Sequence, residues 1–156
     1  MTRQSHTRLD RLAERLRSVR AGDIMTRDVV TTKEDATLEE VANIMVKKRI
    51  SGLPVVRKRG KVVGMITETD LFIVMDMIES GDVLEDDTKR GFNPTVKFAM
   101  STEVFKVKEN SSLDEIISLV KYRNVHTIPV FSGKKMVGII GRQDIFRHFY
   151  NIVRGI

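Results

Sequence analysis

Two short patterns in this 156-residue chain put a carboxylate where a helix should begin: Thr67-Glu68-Thr69-Asp70 and Gly141-Arg142-Gln143-Asp144. A carboxylate in a first helical turn is favoured by the positive end of the helix dipole, and it could accept two hydrogen bonds from a sugar diol. The same spacing also makes an ordinary helix cap, in which hydroxyl and carboxylate satisfy backbone N–H groups. Gly141 has no hydroxyl to match that of Thr67, so the second pattern is one oxygen short. His126 stands in a predicted loop just ahead of Ile128-Pro129, where a partly protonated imidazole suits an anionic group. A histidine so placed also serves as a solvated or capping residue. Ser51 holds the equivalent position ahead of Leu53-Pro54.

Absent residues narrow the chemistry further. Cysteine does not occur, which excludes disulfides, thiolate zinc sites, iron–sulfur clusters and a thiolate nucleophile. The sequence holds no Gly-x-x-x-x-Gly-Lys-Ser/Thr loop, no Gly-x-Gly-x-x-Gly fingerprint and no His-Glu-x-x-His pair, and its histidines are scattered at 6, 126 and 148. Nothing in the pattern sets a base beside a nucleophile, so the expectation is a non-enzyme with no required cofactor and no metal. Apolar stretches such as residues 71–75 are far short of the roughly 20 needed to span a bilayer, and no apolar signal core opens the chain. A soluble, cytoplasmic protein without membrane contact is expected. The net charge is +6, from 27 Lys and Arg against 21 Asp and Glu. Most of it sits in residues 1–22, where Arg3, Arg8, Arg11, Arg15, Arg17 and Arg20 face only Asp10 and Glu14.

The elements that must position Asp70 and Asp144 occur twice. Slid by 75 residues, and by 74 after a turn, the chain matches itself: Met25 falls on Met100, Lys33-Glu34 on Lys108-Glu109, Leu38 on Leu113, Glu40 on Glu115 and Pro54-Val55 on Pro129-Val130. Beyond the turn, Gly64 falls on Gly138, Ile66 on Ile140, Asp70 on Asp144 and Phe72 on Phe146. Each copy predicts a β-branched strand (29–32, 104–107), then a capping box (Thr37-x-x-Glu40, Ser112-x-x-Glu115) opening an amphipathic helix. A hairpin follows (53–56 with 61–66, and 128–131 with 134–140), with Pro54 and Pro129 opening its first strand. A second helix then begins near Asp70 or Asp144, its apolar face drawn from Leu71, Phe72, Met75 and Ile78, or Ile145, Phe146, Phe149 and Val153. The fold class is thus α/β (α+β), tandem β-α-β-β-α repeats packed through their sheets with pseudo-twofold symmetry, with clefts between the halves. Residues 1–22 form a basic amphipathic helix carrying Leu9, Leu12, Leu16 and Val19; 23–80 are the first repeat, 81–96 a linker with Gly81, Glu85-Asp86-Asp87, Gly91 and Pro94, and 97–156 the second repeat. The methionines, including Met45, Met65, Met75 and Met77, read as core filler.

The ordered set Ile50-Ser51-Gly52-Leu53-Pro54-Val55-Val56 and Gly64-Met65-Ile66-Thr67-Glu68-Thr69-Asp70 resembles a cystathionine β-synthase (CBS) domain. Val125-His126-Thr127-Ile128-Pro129-Val130 with Gly138-Ile139-Ile140-Gly141-Arg142-Gln143-Asp144 resembles a second, so residues 23–150 resemble a CBS pair, or Bateman module. The resemblance implies a regulatory module binding an adenosine ligand (AMP, ADP, ATP or S-adenosylmethionine, sometimes NAD) between the halves, signalling to an unidentified protein partner and associating as a homodimer. It implies that Thr67 and Asp70 hold ribose with His126 and Arg123 on the phosphates, and that Asp144, Ser51 and Arg142 form a weaker site. Backbone beside Pro54 and Pro129, lined by Ile50, Val55, Val125 and Val130, would read adenine, although plain strand-entry prolines and plain core residues look the same. Two other readings stand beside this one: nucleic-acid binding through the N-terminal arginines, which the interleaved leucines argue against, and a ligand-free structural dimer.

Overall fold

The structure is a computed structural model describing residues 7–81 and 94–156. In chain order its elements are α1 (Arg8–Ser18), α2 (Ala21–Ile24), α3 (Leu38–Lys48), β1 (Gly52–Val56), β2 (Val62–Thr67), α4 (Glu68–Glu79), α5 (Val96–Ala99), β3 (Val107–Lys108), α6 (Leu113–Arg123), β4 (Thr127–Ser132), β5 (Lys135–Gly141) and α7 (Arg142–Arg154). Packing divides them into two compact units, Val29–Val104 and a second that joins residues up to Asp28 with Phe105–Ile156. These units do not coincide with the repeats as read from sequence, 23–80 and 97–156. Residues 20–28 pack with the second repeat, and 96–104 with the first. Arg3, His6, Glu85-Asp86-Asp87 and Gly91 lie outside the described residues.

In the Val29–Val104 unit, Thr37 accepts a hydrogen bond from the Glu40 N–H at 3.1 Å while the Glu40 carboxylate accepts from the Thr37 N–H at 3.3 Å, closing the expected capping box at the start of α3. Arg49 ends α3 in the left-handed region, φ 55°. β1 and β2 form an antiparallel hairpin that sets Leu53 opposite Ile66, with a bulge after Val55 and a short 3₁₀ turn at Lys58–Gly60. The strand expected over 29–32 is reduced to one parallel bridge from Thr32 to Val55, because only Thr32 finds partners, donating to Pro54 O and accepting from Val56 N. On the other edge Ser101 bridges Met65, its N–H donating to the Met65 carbonyl and its carbonyl accepting from the Met65 N–H, both at 2.9 Å. Val41, Leu53, Val55, Ile66 and Val96 are sealed from solvent at the centre. Burial of such side chains is worth about 1.5–3 kcal/mol each, the main term holding so small a unit together.

The second unit repeats the plan with a longer sheet. β4 and β5 are antiparallel, with Ile128 opposite Ile140, and β3 adds a parallel third strand beside β4. That strand is Val107–Lys108 rather than the expected 104–107. Thr26 extends the far edge, its N–H donating to the Ile139 carbonyl at 2.8 Å and its carbonyl accepting from the Ile139 N–H at 2.9 Å. Ala21, Ile116, Ile128, Val130 and Ile140 form the core, and Leu12 and Leu16 of α1 pack against it. Val19, just past the α1 terminus, is buried, whereas Leu9 faces solvent. Arg8 donates to the Val153 carbonyl near the end of α7, and Arg20 donates to the Arg17 and Val19 carbonyls. Two of the arginines that a nucleic-acid reading requires are thus engaged by the fold, one of them beside the negative end of a helix.

On both second helices the expected apolar face is only partly covered. The inward residues are Val74 on α4 and Ile152 on α7, with Leu71 and Ile145 partly covered. Phe72 is 61% exposed and Phe146 65%, and Met75, Ile78 and Phe149 also face out. Met45 and Met65 are core residues, but Met75 is not. Among the described residues no helix is long and apolar enough to cross a membrane.

Candidate functional site

Asp70 occupies the third position of α4, where the chain leaves β2 with Thr67 in extended conformation. Its Oδ2 accepts from the Thr67 N–H at 2.8 Å and from the Thr67 hydroxyl at 3.1 Å, and the two bonds fix the plane of the carboxylate. Oδ1 receives no donor among the described residues. The Ser51 carbonyl accepts from the Glu68 N–H at 2.9 Å, so the loop between α3 and β1 is tied to the same helix start. The unit therefore presents a half-buried, oriented carboxylate with one free oxygen at the positive end of a twelve-residue helix.

Asp144 holds the equivalent position on α7 but is bonded differently. Its Oδ2 accepts from the Gly141 N–H at 2.7 Å, as in the first repeat, and with no hydroxyl at 141 the second bond is missing. Its Oδ1 accepts instead from the Thr26 hydroxyl at 3.0 Å, and the Arg147 guanidinium lies 3.6 Å from the same oxygen. Both oxygens of Asp144 are engaged, against one of Asp70.

The remaining expected residues fall into place element by element. Nδ1 of His126 is buried without a hydrogen-bond partner, the one such side-chain atom among the described residues. A buried ring nitrogen left unpaired is costly, which marks this loop as a place where a polar partner would be stabilising. Arg123, exposed at the end of α6, lies with its guanidinium carbon 5.8 Å from the Phe105 ring centre, and Arg142 is exposed in the first turn of α7. Pro54 and Pro129 are buried at the third position of β1 and β4, not at the opening of the strand. The Pro54 carbonyl is occupied by the Thr32 N–H. Val55 and Val130 are fully buried core residues, and Ile50 and Val125 pack on the same two cores. Two concavities, about 630 Å³ beside Arg20, Arg27 and Lys108 and about 330 Å³ between α3 and α4, are lined by none of the expected site residues. Among the described residues no group of three or more His, Asp or Glu could hold a metal ion.

Two polar contacts escaped the sequence reading. Thr26 is one; its only signal is the repeat register, which sets Met25-Thr26 on Met100-Ser101. The other is Glu34, which receives hydrogen bonds from the Arg57 Nε and Nη2. The Arg57 guanidinium holds the Glu34 carboxyl below the usual carboxylate range by this bond and its charge, with Lys97 adding a smaller effect, against an opposing contribution from burial.

Known proteins share this sequence pattern and fold. The sequence profile of the CBS domain matches residues 21–76 and again 96–151. Inosine-5'-monophosphate dehydrogenase of Methanocaldococcus jannaschii is 32% identical over 129 residues, 82% of this chain, yet the match is only 23% of the dehydrogenase. Hypoxic response protein 1 of Mycobacterium tuberculosis is 30% identical over 128 residues, 82% of this chain and 83% of that protein. The crystal structure of the CBS domain pair of protein MJ0100, in complex with 5'-methylthioadenosine and S-adenosyl-L-methionine, superposes with a TM-score of 0.71 at 25% identity, covering 85% of this chain and 97% of that one.

Proposed function

Since the chain belongs to the CBS domain family, with two copies of the domain along its length, we propose that it is a regulatory module that binds an adenosine ligand, performs no chemistry, and passes its bound or empty state to a partner protein. The observation that carries this reading is the carboxylate of Asp70, held in orientation through Oδ2 by Thr67 and free at Oδ1. With both lone pairs of Oδ2 taken by Thr67, a ribose diol can donate both of its hydroxyls to Oδ1, whose two lone pairs are free. Hydrogen bonds to a charged acceptor contribute about 1.5–3 kcal/mol each, enough to anchor the sugar. Thr67 orients Asp70, while His126 and Arg123 are the residues that would meet phosphate. Asp144, Ser51 and Arg142 serve a weaker site, and the backbone beside Pro54 and Pro129 meets adenine. The ligand is AMP, ADP, ATP or S-adenosylmethionine; support for the adenosine class comes from the MJ0100 pair, which was crystallised with two adenosine compounds. The exposed faces of α4 and α7, with Phe72 on one and Phe146 and Phe149 on the other, are the surfaces through which a homodimer would form.

A thermal-shift series with AMP, ADP, ATP and S-adenosylmethionine tests the reading. A ligand at 100 times its dissociation constant stabilises by about 2.7 kcal/mol, or roughly 5–10 °C for a chain of this size. Asp70→Ala should remove that shift. No shift with any of the four on a folded wild type overturns the proposal.

A further inference from the structure

We propose that Thr26 is the residue that makes the two aspartates unequal: its hydroxyl occupies the Asp144 oxygen that a sugar diol would need, so the chain takes an adenosine ligand at Asp70 in preference to Asp144. This rests on reading the two aspartates as diol acceptors. The geometry is specific to one repeat. Thr26 is fixed on the edge of β5 by paired backbone bonds to Ile139, and from there its Oγ1 donates to Asp144 Oδ1 at 3.0 Å. Ser101 is bonded to Met65 in the same way in the other unit, but its hydroxyl donates to the Glu103 carbonyl at 3.5 Å and leaves Asp70 alone. The carboxylate that lost its neighbouring hydroxyl at Gly141 has gained one from 118 residues away, on its other oxygen. Thr26 thus stands in for a sugar hydroxyl. Arg147 approaches the same oxygen, but its side chain is 69% exposed and an ion pair so solvated is a weak competitor. A diol that puts both hydroxyls on Oδ1 must displace the threonine hydroxyl at Asp144, and it meets no such rival at Asp70.

Titration calorimetry on the full chain, run separately with AMP and with S-adenosylmethionine, decides this. The proteins are wild type, Thr26→Val, Thr26→Val/Asp144→Asn and Asp70→Asn. Valine keeps the shape and the backbone bonds of Thr26 and deletes only the hydroxyl. Wild type should bind one equivalent and lose it in Asp70→Asn. Thr26→Val should gain a second event, or tighten a weak one at least about fivefold, the value of one ordinary hydrogen bond, and the added Asp144→Asn should abolish the gain. Two equal sites in wild type, or a Thr26→Val titration identical to or weaker than wild type, overturn the proposal. The wider functional reading fails by a different sign, an empty wild type: if Thr26→Val then binds one ligand through Asp144 the role of Thr26 stands, and if no variant binds both ideas fall.

Discussion

Met25 and Gly138 are packed so closely that a Cβ added to the glycine would lie 2.5 Å from the methionine Sδ and 2.8 Å from its Cγ. The other unit repeats the arrangement at Gly64, where a Cβ would lie 2.7 Å from the Ser101 carbonyl oxygen and 3.0 Å from the Met100 Sδ. In each unit a glycine in a strand admits a methionine from a segment that the repeat register also pairs, 25 with 100 and 64 with 138.

Alanine at either glycine should therefore destabilise by overpacking, about 1–3 kcal/mol, or several degrees in the melting temperature. Gly64→Ala should be the worse of the two, because its obstacle includes the carbonyl of Ser101, a residue pinned by two backbone bonds to Met65, whereas Met25 can change rotamer. Thermal melts of both variants test the ranking; equal, wild-type melting would show that neither contact constrains the strands.

Neighbouring isoleucines in α6 should behave oppositely. Ile116 is 0% exposed and Ile117 38%. Ile116→Ala should cost about 2–5 kcal/mol and Ile117→Ala about 1 kcal/mol or less by urea unfolding. Similar losses for both would mean that the face of α6 turned to the core is not the one described.

Thr37 and Thr67 make the same kind of cap, but only Thr67 sits with an aspartate proposed to bind ligand. Thr37→Ala should lose about 1 kcal/mol of stability and leave ligand affinity unchanged, while Thr67→Ala should lose both. Comparing the melting change with the ligand-induced shift in each variant separates the two roles.

Glu34 supplies a pH signature. Its carboxyl is held below the ordinary value of 4.5 by Arg57, so the folded state prefers the ionised form. A depressed folded value makes the pair stabilising above the unfolded value, and that contribution is lost as pH falls through the lower folded one. Wild type should melt slightly above Glu34→Gln at pH 7, and the gap should close only as pH falls below 4.5 and through the lower folded value, with 1 M salt shrinking it at pH 7 because the pair lies at the surface. A gap that persists in acid would mean that the loss in Glu34→Gln has another origin.

What the sequence made legible was local. Helix caps, hairpins and the start of α4 are encoded locally, so the capping roles of Thr37, Ser112 and Thr67 follow from type and spacing; the box expected at Ser112-x-x-Glu115 is only half made, Ser112 accepting from the Glu115 N–H without the reciprocal bond to the Glu115 side chain. The strand over 29–32 was over-read because β-branched residues announce a preference, while a ladder needs a partner, and only Thr32 has one. Phe72 and Phe146 belong to an apolar stripe that periodicity identifies without saying what covers it, and in this structure both face out. Asp70 was found by its pattern, and the bonding of Asp144 was not, since Thr26 meets it only through the edge of β5.

The discontinuity of one packing unit has a consequence in time. Residues up to Asp28 share a core with Phe105–Ile156, and the whole Val29–Val104 unit is inserted between them. During synthesis at about 5–20 residues per second, the inserted unit can fold on emergence, while Val19, Ala21, Ile24 and Met25 wait on the order of 5–20 s for β4 and β5 to exist. Over that interval four residues destined for burial are held in water, on a segment that also carries Arg8, Arg11, Arg15, Arg17 and Arg20.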